Sequence, residues 1–382
     1  MVVAWILGIY ASIIIIPNLP FIQRQIADKV ADILSEKIGT KVEIGSVNVG
    51  LLTRIIINDI KLTDKDKVTA LKVGRVSASL DFANILKGQI SLHSAQLFSA
   101  NAKLYKKDVD STLNIQYVID AFSSNDTTKS STPNIRVNTF IMRHANITYD
   151  IENLPVKKGL FDINHISVKN AGCNVSLKAL SEDSLNVTLK HFYATELNSG
   201  LSIKDLSLKC QANKSRMEIQ NFILALKNSS VEIPEAKIRL KNKDKDKDKS
   251  FAIEDGITIN STVNPVDFQC LTTKQINIFP TINLNAEIDG DDERTEIRTL
   301  QITSDDHMLN IDFNGVIQNA MSDSLSLSGV IHDLFMDKEL IGNTLGFLSV
   351  DEKTAKTLSN LGDVRIQSEL HYDTHTMAAK GS

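Results

Sequence analysis

The segment Ser184-Leu-Asn-Val-Thr-Leu-Lys190 places apolar side chains at every second position, with polar side chains between them. Successive side chains of a β-strand point to opposite faces of its sheet, whereas an amphipathic helix repeats every three to four residues. This alternation predicts a strand with one apolar face, carrying Leu185, Val187 and Leu189, and one polar face.

The same period of two extends from Val42 to about Leu327. Short polar turns separate the segments, and no stretch alternates strands with crossover helices, so the pattern predicts an antiparallel sheet. Arg216–Phe222 resembles Arg294–Leu300 at an offset of 78 residues, which indicates a repetitive array. In the strands predicted around Ser184–Lys190, the apolar face carries eight residues, which are the candidates for lining a groove: Val175, Leu177, Val187, Leu189, Leu206, Leu208, Leu224 and Leu226. Alternation leaves open whether such faces line an open groove or meet in a sandwich.

Composition excludes several classes of protein. The chain has 382 residues, 42% hydrophobic and 23% charged, which is too apolar for a disordered chain. Its 3 cysteines are too few and too scattered for a disulfide scaffold or a C-x-x-C zinc site. A net charge of −4 without a basic block argues against nucleic acid as a partner.

The first 22 residues contain no charged side chain. A signal peptide would carry a basic segment before its apolar core, and a buried core helix would usually show a polar stripe. A membrane anchor over residues 1–22 fits best, although Pro17 and Pro20 disturb its end. The missing basic flank leaves its orientation undetermined. The anchor is predicted to face lipid through Val2, Trp5, Ile6, Ile9, Ile13 and Ile16.

Five further segments depart from the strand pattern. Residues 23–39 have the apolar spacing of an amphipathic helix ending at Gly39, which either lies on the membrane surface or covers the end of the sheet. Short helices are also predicted over residues 114–122, 338–348 and 351–361. The charged run 241–249 lies between two strand patterns and is predicted to be a solvated hairpin loop.

Motifs for catalysis are missing. His371 and His375 have the i, i+4 spacing of a helical zinc pair, but Tyr-Asp-Thr between them favours a turn. The sequence contains no G-x-S-x-G, Walker or G-x-G-x-x-G motif. We therefore expect no enzyme activity, no metal site and no cofactor, and the weight shifts to binding or structural roles.

The residues from Pro17 to Ser124 resemble the amino-terminal part of the AsmA-like superfamily, and within it the TamB-type translocation and assembly module proteins of Gram-negative bacteria. The resemblance is carried by PNLPFIQRQIADKVADILSEKIGTKVEIGSVNV (17–49), RIIINDIKLTD (54–64), ILKGQISLHSAQLFSANAKLY (85–105) and LNIQYVIDAFSS (113–124). It implies a single-pass inner-membrane anchor and an elongated, taco-like periplasmic β-groove. It divides the chain into an amino-terminal AsmA-like β segment, 40–125, and a repetitive groove segment, 134–382, cut short at its carboxyl end.

The family's proposed role is to bridge the two membranes and conduct phospholipid acyl chains along the groove toward the outer membrane. The alternative is a scaffold that assists outer-membrane protein assembly with a barrel partner, through a carboxyl-terminal region beyond this chain. Phospholipid, the inner membrane and such a barrel protein are therefore the expected partners.

Overall fold

The chain is mainly β in the computed structural model, with an open antiparallel sheet and few helices, as the period of two predicted. The structure describes residues 5, 18–49, 54–80, 91–123, 136–181, 184–242, 249–319, 324–348, 350, 362–373 and 377–381. Two compact units divide the chain. Unit 1 comprises Met1–Leu177 and His191–Gly200, and unit 2 comprises Lys178–Lys190 and Leu201–Ser382.

Unit 1 begins with helix α1, Pro20–Ile38. The helix ends where Gly39 adopts a left-handed conformation with φ of 78°, and the Gly39 N–H donates to the Ser35 carbonyl at 2.8 Å. Its buried face, Ala27 and Ala31, packs on the first strands of the sheet, so the predicted amphipathic helix covers sheet residues rather than lying free.

The remaining elements of unit 1 are strands and one short helix. They are β1 (Val42–Glu43), β2 (Ser46–Val49), β3 (Arg54–Thr63), β4 (Thr69–Leu80), β5 (Ser91–Lys106), α2 (Gln116–Ser123), β6 (Arg136–Ile151), β7 (His165–Ser181, in this unit to Leu177) and β8 (Ser184–Glu196, in this unit from His191). Strands β1 and β2 both pair with β3, and the pairs β3–β4, β4–β5 and β6–β7 are antiparallel.

The prediction of a purely antiparallel sheet is wrong at one place. Strands β5 and β6 pair in parallel, from Ser91↔Arg136 to Lys106↔Ile151. Helix α2 lies in the connection between them, as a parallel pair requires a crossover. The helix was predicted, but alternation reports only which face of a strand is apolar, and it carries no information on the direction of the neighbouring strand.

Four strands of unit 1 each contain one non-glycine residue in the left-handed region. We call Asp59, Ser99, His144 and Asn170, with φ between 52° and 56°, the left-handed row. They lie at one level of the sheet, with Ser99 opposite Gly74 and the His144 Nδ1 at 2.9 Å from the Asn170 Oδ1. Three of them directly precede a buried alanine, and these alanines form a core cluster with Val73.

Unit 2 is built from one chain of paired strands. These are β9 (Ser202–Asn213), β10 (Arg216–Ala225), β11 (Ser230–Asn242), β12 (Lys249–Glu254), β13 (Ile257–Val263), β14 (Ile282–Gly290), β15 (Arg294–Ser304), β16 (Leu309–Gln318), β17 (Ser326–Met336), β18 (Val364–Asp373) and β19 (Met377–Gly381). Each strand pairs antiparallel with the next, except at β12. There β11 pairs with β12 along one part of its length and with β13 along another. The two repeat copies open the hairpins β10–β11 and β15–β16.

Unit 2 also contains two helical segments. A 3-10 helix, Pro265–Leu271, begins at Asn264, whose side chain accepts from the Val266 N–H. It was not predicted. Helix α3, Lys338–Leu348, was predicted, and its Phe347 ring meets Phe279 edge to face at 5.6 Å. Residues 243–248 of the charged run lie outside the described part of the chain. Strand β11 ends at Asn242 and β12 begins at Lys249, and the pairing of these two residues agrees with the predicted hairpin.

Several predictions fall on residues that are not described. Of the six anchor residues, Val2, Ile6, Ile9, Ile13 and Ile16 lie outside the described part of the chain, as do the helix predicted over 351–361 and His375. Trp5 is helical and exposed. No helix among the described residues is both long enough and apolar enough to cross a membrane.

Candidate functional site

A continuous row of apolar side chains crosses the sheet of unit 2. Cross-strand partners point to the same face of a sheet, so the pairings can be followed from strand to strand. From β9 to β18, excluding β12, they connect Leu206, Leu224, Val231, Ser261, Leu284, Ile302, Ile311, Leu334 and Ile366, which we call the aliphatic row. Only Ser261 interrupts it.

The opposite face of the same strands is polar. The row one residue away connects Ser207, Ile223, Glu232, Asn260, Asn285, Gln301, Asp312 and Asp333. Ile223 is its one apolar member. On this face Arg365 donates to both carboxylate oxygens of Asp333, at 2.7 and 2.8 Å, and these hydrogen bonds hold the pKa of Asp333 below its ordinary value.

The aliphatic row is covered only in part. Its members are half-buried, and Ile366 is exposed. All strands described in unit 2 belong to one sheet, so a second sheet to close a sandwich is not among them. The buried apolar residues described in this unit are Ala236, Ile257, Cys270, Ala286, Phe313 and Leu340. An amphipathic sheet therefore keeps a broad aliphatic face within reach of solvent.

A β-bulge keeps apolar side chains of β10 on the aliphatic face of the sheet. Strand β10 contains an extra residue relative to β9 between Gln220 and Ile223, where Asn221 is left-handed with φ of 50°. The bulge shifts the phase of alternation, so that Ile219 and Phe222 both face the aliphatic side. Leu224, predicted for the apolar face, lies in the aliphatic row, and the register turns the neighbouring Ile223 to the polar side.

The predicted groove residues are distributed over both units. Leu206 and Leu224 are direct partners in the aliphatic row, and Leu208 follows Leu206 on the same face of β9. Leu226 lies just beyond β10, in a turn where its N–H donates to the Ser229 carbonyl. Val187 and Leu189 are half-buried in β8, within unit 2.

Unit 1 has an equivalent apolar row that contains Val175, which is opposite Phe140; Leu177 follows on the same face of β7. The row connects Val49, Ile55, Ala78, Ala95, Phe140 and Val175. Each unit therefore presents an aliphatic face of its own.

Two cysteine thiols lie on these aliphatic faces and show that the faces are poorly solvated. Cys210 is opposite Ile219 in unit 2, and Cys173 is opposite Met142 in unit 1. Burial raises the pKa of both thiols above the ordinary cysteine value, because the thiolate is poorly solvated there. Neither the faces of these two cysteines nor their pKa shifts could be assigned from sequence, since both depend on strand register.

A depression of about 680 Å³ lies on the polar side of unit 2, opposite a glycine pair. Gly315 and Gly329 are cross-strand partners, and on the aliphatic side the Phe313 ring occupies the space that their Cβ atoms would fill. The depression is rimmed by Glu296, Arg298, Glu369 and His371. Arg298 is ion-paired with Glu287 and Asp289, which raises its pKa. The depression is an open surface that combines these charged rim residues with Val316 and Val330.

A smaller cavity of about 420 Å³ in unit 1 surrounds a buried polar cluster. The Tyr105 hydroxyl donates to Asp64 at 2.9 Å and to Asp66 at 3.1 Å. Burial, followed by these hydrogen bonds, raises the pKa of Tyr105 above its ordinary value. Because every Asp64 oxygen accepts from neighbouring groups, the cluster holds the β3–β4 turn in place and offers no free ligand atom.

The described residues bring no three His, Cys, Asp or Glu side chains together in a way that could hold a metal ion. In comparisons with known proteins, no family model matches the chain and no curated protein is detectably similar to it. The resemblance to the AsmA-like superfamily therefore stays a prediction.

Proposed function

We propose that this protein binds phospholipid acyl chains on its aliphatic faces and conducts them between two membranes. The observation that carries the proposal is the aliphatic row, which crosses unit 2 without a charged residue and is only half-buried. Each methylene group moved from water onto such a face contributes about 0.8 kcal/mol. The polar back of the sheet remains solvated while the acyl chains are shielded.

Because the aliphatic row consists of similar side chains, it favours movement of a bound lipid along the row over its retention at one position. A lipid that steps from one leucine or isoleucine to the next exchanges like contacts for like contacts, so its energy changes little between positions. Headgroups stay in water because no charged side chain of the row competes for them. The groove geometry implied by the AsmA-like resemblance is part of this proposal.

Anchoring is proposed from the uncharged segment 1–22, which would hold the chain in the inner membrane with its bulk in the periplasm. Resistance of the chain to alkaline carbonate extraction, together with its digestion by protease added to spheroplasts, tests this arrangement. The scaffold role in outer-membrane protein assembly stays a prediction, tested by whether a barrel protein co-purifies with the chain.

The acyl-chain proposal is tested with a matched pair of neighbouring residues. Leu284 lies in the aliphatic row, and the adjacent Asn285 points to the polar side. We expect Leu284→Glu to reduce phospholipid bound to the purified chain about tenfold, because losing contact with about two methylene groups costs roughly 1.6 kcal/mol. Asn285→Glu introduces the same charge on the opposite face and is expected to leave bound lipid unchanged. Bound phosphorus and lipid mass spectrometry supply the measurement.

Equal losses in the two variants would contradict the proposal, as would full lipid binding by Leu284→Glu. A photo-crosslinking residue at Leu206, compared with one at Ser207, gives a second readout that does not depend on an added charge. Capture of phospholipid is expected at position 206 and not at position 207.

A further inference from the structure

Four large apolar side chains project from one end of unit 1. The loop 152–164 between β6 and β7 exposes Val156, Phe161 and Ile163, by 52%, 38% and 70%, and the turn after β8 exposes Leu197 by 56%. Single exposed apolar residues are ordinary on protein surfaces, but a group of four on adjoining loops is typical of an interaction surface.

The two loops are fastened to each other. The Asn198 side-chain amide donates to the carbonyls of Lys157 and Leu160, at 3.0 and 3.1 Å. The buried Asp162 carboxylate accepts from the N–H groups of Lys157 and Asn164, both at 3.1 Å. These hydrogen bonds therefore hold the loops that expose the apolar side chains.

A second buried carboxylate fastens the turn. Glu196 accepts from the backbone N–H groups of Ser167, Asn198 and Ser199, at distances between 2.6 and 3.1 Å. Both carboxylates, Asp162 and Glu196, are buried within the loops and accept hydrogen bonds from backbone N–H groups.

Two exposed lysines lie beside the apolar side chains of these loops. Lys157 and Lys158 are exposed beside Val156, and Glu152 is the opposing exposed carboxylate among the described loop residues. Exposed apolar tips beside lysines match the two components of an anionic bilayer surface, which are the acyl boundary and the negatively charged headgroups.

We propose that Val156, Lys157, Lys158, Phe161, Ile163 and Leu197, the loop patch, dock on the surface of an anionic lipid bilayer. The apolar tips enter the interface, and the lysines lie among the headgroups. The loop patch is separate from the aliphatic faces, and its docking requires no acyl chain to leave the membrane. The docking can therefore be tested independently of the proposed lipid binding.

Fluorescence of a single tryptophan in the full chain tests the docking. Trp5 is the one native tryptophan, so Trp5→Phe with Ile163→Trp places the only indole in the loop patch. With phosphatidylglycerol vesicles that contain brominated lipid, we expect the indole at position 163 to be quenched and its emission shifted to the blue. Val266→Trp in the same background is the control, since Val266 is exposed by 52% in unit 2, outside the loop patch.

Charge is tested by Lys157→Glu with Lys158→Glu, which is expected to reduce the quenching at position 163 several-fold. An emission spectrum at position 163 that does not change with vesicles overturns the proposal. Equal quenching by zwitterionic phosphatidylcholine vesicles, or a blue shift that requires an added protein instead of vesicles, also overturns it. Leu197→Trp is a second reporter, placed on the other loop.

Discussion

At the scale of the residue, Cys210 is a native reporter of the aliphatic face. Burial raises its thiol pKa, and only the thiolate reacts with alkylating agents. At pH 8 the thiolate fraction is therefore smaller than in an unperturbed cysteine, whose pKa is about 8.5. We expect Cys210 to alkylate more slowly than a model peptide thiol, with a rate that still rises above pH 9, measured by iodoacetamide labelling and peptide mass spectrometry.

Ser207→Cys provides the comparison on the polar side of the same strand. Added phospholipid is expected to slow Cys210 further and to leave the cysteine at position 207 unaffected. Identical pH profiles for the two thiols would show that the two sides of β9 do not differ in solvation.

At the scale of the element, the left-handed row allows unit 1 to keep one apolar face. In β5 the inward positions run Ala95 and Leu97, then Ala100 and Ala102, so the alternation shifts by one residue at Ser99. A left-handed serine costs about 1–2 kcal/mol, of which glycine recovers a part after its greater unfolded-state entropy. We expect Ser99→Gly to raise the free energy of unfolding by about 0.5 kcal/mol, measured by urea denaturation.

Ser94 is a matched control, because it lies in the same strand and is not among the residues with a left-handed backbone conformation. Ser94→Gly is expected to lower the free energy of unfolding by about 0.5–1 kcal/mol, because it adds entropy to the unfolded chain without relieving strain. A stabilising effect at both positions, or at neither, would contradict the role given to Ser99.

Sequence periodicity could predict the elements better than their arrangement. It predicted strands, helix α1 and helices α2 and α3, because each buries one face and so shows its period. It could not predict the parallel β5–β6 pair, since each strand alternates in the same way whichever direction its partner runs. It also could not predict the bulge at Asn221, which shifts the phase of alternation by one residue and turns Ile223 to the polar side. The available signal was the spacing of the apolar residues Met217, Ile219, Phe222 and Leu224, which changes from two residues to three between Ile219 and Phe222.

At the scale of the whole molecule, the two units differ in how they are stabilised. Among the described residues, both core clusters of buried side chains, around Ala27 and around Ala145, lie in unit 1. Unit 2 relies on sheet pairing and a half-buried aliphatic face. We expect phospholipid to increase protection from hydrogen exchange in β9–β18 at least several-fold, with little change in the strands that pack on α1, measured by mass spectrometry.

Vesicles of a lipid too insoluble to leave the bilayer serve as the control for that experiment. Protection confined to unit 1, or no added protection in β9–β18, would contradict the assignment of the aliphatic row as a binding surface.

The antiparallel pairing of unit 2 has a further consequence for how such a protein changes length. The aliphatic row crosses the strands in steps of about 4.8 Å, so its eight steps extend over roughly 38 Å along the sheet. Inserting one hairpin would add about 10 Å and leave every downstream strand with its original direction and face. Duplication of the gene segment that encodes a hairpin would therefore lengthen the sheet, and the cross-section of the sheet would stay unchanged.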